Sequence, residues 1–229
     1  MFKVLKKYLR RESLMVQAYQ ETEETLKTCK EMVEETIRSL RYSDTSDLKF
    51  DIREKDQQIN RYQQEIRRMM LTHLAISSQT DVHTALVMTS IVIDVERIGD
   101  YAKNIEDLAI AHPKRLKAGR HEEIVRKLED EVKSKFESVT SAFKIYDIEA
   151  AKEVMDEHRS ITKQCDILVT ELVGAPNTEI PANDQVALAL YVRYLKRISS
   201  HLTNIVSSVV NPFDMIGFKG KNGEDKKAK

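Results

Sequence analysis

In the stretch VERIGDYAKNIEDLA, residues 95–109, two carboxylates stand four residues apart, Glu96 and Asp100. On a helix that spacing puts both on one face, about 6 Å apart. Such a like-charge pair costs a few tenths of a kcal/mol when solvated, and more where water is partly excluded. A second oxygen-bearing pair at the same spacing, Asp56 and Asn60, lies in KDQQINRYQQEI. Folding the chain between them into a hairpin about residues 78 and 79 brings 56 level with 101 and 60 level with 97. Two such pairs at one height on neighbouring antiparallel helices carry the donors of a hard-cation site. The competing reading is a solvated acidic face with ordinary ion pairs. In it Lys103 compensates Asp100 across i,i+3, while Arg97, next to Glu96, points elsewhere. Periodicity leaves both open.

These residues must be held by helices. Tyr19, Thr22, Leu26, Cys29, Val33, Ile37 and Leu40 recur at three- and four-residue steps, and Ile52, Ile59, Tyr62, Ile66, Met69 and His73 keep the rhythm after YSDTSD. Asp81 stands as the cap of a third helix running to about Ala111, where His112-Pro113 stops it. The apolar stripe of that helix is Ile91, Val95, Ile98, Ala102, Ile105 and Ala109, opposite the carboxylates. From Gly119 the plan restarts: helices over about 121–145, from YDIEAA to VGAPNTEIP, and over about 183–210, ended by Asn211-Pro212. VERIGDYAKNI lies 100 residues before LKRISSHLTNI, with Arg97/Arg197, Ile98/Ile198, Asn104/Asn204 and Ile105/Ile205 coinciding. The expected fold is all-α, two tandem antiparallel three-helix bundles. Residues 1–115 form the first repeat, 116–212 the second, and 213–229 a basic, disordered tail.

Bulk composition agrees. Charged residues make up 32% of the chain, with six Gly, four Pro and no Trp, as suits long amphipathic helices. Thirty-seven basic residues balance thirty-seven acidic ones, so no global field draws nucleic acid. Cys29 and Cys165 are isolated and read as reduced core thiols of a cytoplasmic protein. No apolar run approaches the roughly 18 residues of a membrane span. Phe2, Leu5 and Leu9 share a face among Lys3, Lys6, Lys7, Arg10 and Arg11, a pattern for peripheral contact with an anionic membrane through residues 2–11 or for a solvated basic edge. A ferritin-like oxidase needs Glu-x-x-His, and none of the six histidines has Glu three residues before it. His73 and His83 come level near the hairpin tip, while His121 and His201 sit among solvent-type residues. A helical scaffold, with the first two helices carrying a homodimer interface, is the remaining non-enzymatic alternative.

VERIGDYAKNIEDLA resembles the signature of the PhoU family, whose repeats carry an E(D)xxxD motif followed by an alanine and an Asn-Ile pair. KDQQINRYQQEI is similar to the family's second-helix segment. The resemblance covers nearly the whole chain. It implies a non-enzymatic negative regulator of phosphate uptake and phosphate-starvation signalling. Such proteins act at the cytoplasmic side of the phosphate ABC transporter and its sensor histidine kinase, and many bind divalent or trivalent metal ions through the ExxxD motifs. The second half departs from the pattern: Lys196 and Ser200 match Glu96 and Asp100, and His158 and Thr162 match Asp56 and Asn60. The resemblance therefore implies at most one metal site, from Glu96, Asp100, Asp56 and Asn60.

Overall fold

The computed structural model describes residues 2–45, 47–76, 81–174 and 180–218, with side chains from Leu14 onward. The described residues form six long helices and no strand: α1 (Phe2–Tyr42), α2 (Ile52–Ile76), α3 (Val82–Ala111), α4 (Glu122–Ile145), α5 (Ile148–Gly174) and α6 (Ala182–Val210). The side chains of the basic stretch 2–11, the hairpin tip at 78–79 and residues 219–229 of the tail lie outside the described residues.

The apolar stripes explain the assembly. Leu26, Cys29, Val33, Ile37 and Leu40 of α1 are fully or almost fully buried, as are Ile91, Val95, Ile98, Ala102, Ile105 and Ala109 of α3. α1–α3 pack on one another, α4–α6 do the same, and the two triplets join through α3 against α6 and α1 against α4. Tyr101 meets Tyr194 and Arg197, whereas Asp94 meets His201 and Asn204, so α3 and α6 run antiparallel. One contiguous core results.

Caps come from residues that the spacing alone did not single out. Asp51 accepts the backbone N–H groups of Arg53 (2.8 Å) and Glu54 (3.0 Å) at the start of α2, and Asp147 does the same for Glu149 and Ala150 at the start of α5. Asp81 sits at the head of α3 but makes no cap bond; its carboxylate turns to the His73 ring, 3.0 Å away. His73 is thus a buried partner of Asp81, while His83 is exposed. Residues 213–218, expected within a disordered tail, fold back as a 3-10 turn. Asn211 Nδ2 donates to the carbonyls of Met215 and Phe218, and the Gly217 N–H donates to Ser207 Oγ.

Candidate functional site

The shoulders of α2 and α3 do face each other, and a glycine lets them. A Cβ at Gly99 would lie 3.0 Å from Ile59 Cδ1 and 3.6 Å from Asp56 Oδ1, so the missing side chain sets the close approach of the two helices. Asp56 is buried, at 6% exposure. Its Oδ2 accepts from Asn60 Nδ2 (3.1 Å) and Lys103 Nζ (2.9 Å), and its Oδ1 is buried without a hydrogen-bond partner. Lys103 Nζ also reaches Asp100 Oδ1 at 2.9 Å. Arg97 does not point elsewhere: its long side chain folds back along the surface, 3.3 Å from Asp100 Oδ2 and 3.8 Å from Glu96 Oε2.

Asp56, Glu96, Asp100 and Asn60 are thus gathered as their spacing suggested, with three carboxylates facing two cations. Burial, then the charge of Asp100, raises the Glu96 pKa above the usual carboxylate value; Asp56 adds to this, and Arg97 and Lys103 oppose it. Burial works against the charge of Lys103, yet Asp56 and Asp100 outweigh it and raise that pKa too. The donor types suit a hard cation. Their placement does not while Lys103 bridges Asp56 and Asp100, and no described group of three His, Cys, Asp or Glu side chains is arranged to hold a metal ion.

In the second repeat the corresponding place is inverted. Lys196 pairs with Asp166 (2.6 Å), and Ser200 Oγ donates to the Lys196 carbonyl. The ring of His158 lies between Ser199 Oγ (3.0 Å) and Thr162 Oγ1 (3.2 Å). Lys135, absent from the sequence-based candidates, buries its amine and donates to Ser199 Oγ at 3.1 Å. Burial brings its pKa down to about 7, and burial with the nearby Lys135 and Lys196 charges brings His158 down to about 4. The available signal was a lysine inside the α4 stripe of Leu128, Val132, Phe136 and Val139.

Two further polar centres hold the repeats together. At the α3–α6 seam, Asp94 Oδ1 meets His201 Nδ1 (2.7 Å) and Asn204 Nδ2 (2.9 Å). His201 and His121 are buried, contrary to their solvent-type neighbours in sequence. At the junction of α1, α4 and α6, the fully buried Arg41 pairs with Glu129 (2.9 Å) and Glu122 (2.8 Å) and donates to the Leu116 carbonyl. Glu129 also accepts from the hydroxyls of Tyr42 and Tyr191. Cys29 and Cys165 are buried free thiols.

Comparison with known proteins follows this duplication. The PhoU domain matches residues 22–109 and again 125–209. The chain is similar to a phosphate-specific transport system accessory protein PhoU homolog of Pseudomonas putida, 28% identical over 168 residues. That match covers 72% of this chain and 66% of the relative, just under two thirds of its length. A homolog of the same description from Clostridium acetobutylicum is 26% identical, covering 68% and 73% of the two chains. Among solved structures, PhoU from Pseudomonas aeruginosa superimposes with a TM-score of 0.67 at 22% identity, over 91% of this chain and 97% of that one. The phosphate transport system regulatory protein PhoU from Streptococcus pneumoniae gives 0.64 at 19%, over 90% and 93%.

Proposed function

The chain belongs to the PhoU family, and from that premise we propose that it is an accessory regulator of phosphate transport that works by binding rather than turnover. The observation that carries this reading is the pair of PhoU-domain matches, one over each helical triplet, in a chain whose relatives are named as accessories of phosphate-specific transport. Its partners are then a phosphate ABC transporter and a sensor histidine kinase, met at the cytoplasmic face of the membrane. No described helix is long and apolar enough to cross a bilayer, so contact with the membrane runs through those partners or through the basic stretch 2–11.

The docking face we favour is the flank of α2 and α3 carrying Asp56, Glu96 and Asp100, because surplus negative charge and partial burial make it a place where a partner's cation gains most. A metal ion there belongs to the same proposal. Its donors would be Glu96, Asp100 and Asp56, with Asn60 beside them, and Lys103 would have to leave first; such an ion would neutralise the face. Deleting the gene should raise labelled-phosphate uptake in phosphate-replete cells, and tagged protein should co-purify with transporter subunits. Unchanged uptake together with an unchanged partner list would count against the regulatory reading. Metal analysis of wild type beside Glu96→Ala checks the ion separately.

A further inference from the structure

Where the repeats meet, the linker after α3 and the start of α6 line an open cavity of about 710 Å³ that no part of the duplicated site uses. His112, Lys114, Arg115, Lys117, Asp44 and Asp184 supply its charged lining. His112 is committed: Nδ1 lies 2.7 Å from the Lys114 carbonyl and Nε2 lies 3.0 Å from Asp184 Oδ1. Both ring nitrogens therefore face acceptors, which favours the charged ring and uses up Asp184. Burial opposes that charge, and the Asp184 and Lys114 oxygens prevail, raising the His112 pKa.

What remains is unbalanced. Among the described residues Lys114, Arg115 and Lys117 make no ion pair, and Asp44 accepts no hydrogen bond. Arg115 lies over the Tyr42 ring, 5.8 Å from its centroid, and its Nε is buried with no hydrogen-bond partner. Among the described residues no acceptor meets this buried donor, and a buried donor left unbonded calls for one. The start of α6 has no side-chain cap and turns the positive end of its dipole to the same space. Three cations against one free carboxylate attract a multiply charged anion, and the volume lies within the ordinary range of small-molecule sites.

The lone carboxylate narrows the choice. An acceptor set among donors penalises an anion with no proton to give and is satisfied by one that keeps a hydroxyl. Near neutral pH phosphate retains a proton and sulfate has none. We infer that this cavity is a binding site for a protonated phosphate group, its oxygens on Arg115, Lys114 and Lys117 and its hydroxyl donated to Asp44. Free orthophosphate and the end of a phosphate monoester share that chemistry. The inference stands apart from the transport reading, since purified protein alone displays it.

Isothermal titration of the full-length protein with orthophosphate, sulfate and glycerol 3-phosphate tests it. Orthophosphate should bind more tightly than sulfate, since only phosphate brings a proton to Asp44 and sulfate sets an unprotonated oxygen against its charge. Lys117→Met and Arg115→Met should each weaken phosphate binding by about tenfold, and Asp44→Asn should bring phosphate and sulfate together. Binding of orthophosphate alone assigns the site to the free ion, and binding of glycerol 3-phosphate as well extends it to monoesters. Equal affinity for phosphate and sulfate, no phosphate heat, or an undiminished affinity in Lys117→Met would overturn the inference. Lys117 and Asp44 are exposed, so those two variants keep the fold and the outcome readable.

Discussion

Removing the Arg41 charge tests whether the two repeats are locked by their buried polar junction. Arg41 is 0% exposed and holds Glu129, itself 0% exposed, together with Glu122 and the Leu116 carbonyl. In Arg41→Met the stem volume is roughly kept, but Glu129 is left with two tyrosine hydroxyls and no counter-charge. Glu122 is less affected, because it is 30% exposed and keeps Arg126 at 3.4 Å. Breaking a buried pair from one side costs about 3–5 kcal/mol. At about 2–4 °C per kcal/mol for a chain of this size, the midpoint of thermal unfolding should fall by roughly 6–20 °C. Urea unfolding of wild type, Arg41→Met, Glu129→Leu and the double variant gives the pairwise coupling. The double variant should lose far less than the sum of the singles, since no orphaned charge remains. A single-variant loss below about 1 kcal/mol, or additive singles, would refute the idea that this charge pair locks the junction.

Other outcomes follow from the same geometry. Lys103→Met should cost about 2–3 kcal/mol in urea unfolding, since it strips Asp56 and Asp100 of their shared cation. Glu96 and Glu106 have pKa values raised chiefly by burial, so the native state binds their protons more tightly than the unfolded chain does. Stability should therefore fall as pH rises from the ordinary carboxyl value through the raised one, and Glu96→Gln should be steadier at pH 7 by about 0.5 kcal/mol. Lys135 titrates the other way: with its pKa lowered to about 7, stability should climb between pH 7 and the ordinary lysine range, and Lys135→Met should flatten that slope in a chemical-denaturation series. Gly119 holds φ +53° with Ile180 Cγ1 2.9 Å from any added Cβ, so Gly119→Ala should lower stability by about 1–2 kcal/mol.

Helix limits were legible wherever one local rule acted alone. Pro113 ends α3 and Pro212 follows α6 because each proline holds the residue before it, His112 and Asn211, outside the helical region. Asp81 shows the opposite case: His73, at the end of the preceding helix, outcompetes the backbone for its carboxylate. The hairpin register put Asp56 near Asp100 in height, but the rotation that turns one toward the other depends on Ile59 lying against Gly99, a fit of shapes that periodicity does not contain. The burial of Lys135, Arg41 and His201 comes from partners far away in sequence, Ser199, Glu129 and Asp94, which spacing along the chain does not contain. Charge type is local, whereas its neutralisation is not.

The 30 residues of α3 form one uninterrupted rod roughly 45 Å long. It carries Glu96 and Asp100 on one flank, Asp94 and Tyr101 against α6 on another, and the linker at its end. With no proline within it, the rod offers no hinge between these places. Where α3 slides or rolls on α6, Asp94 exchanges partners, and the stroke is limited to what packed side chains absorb.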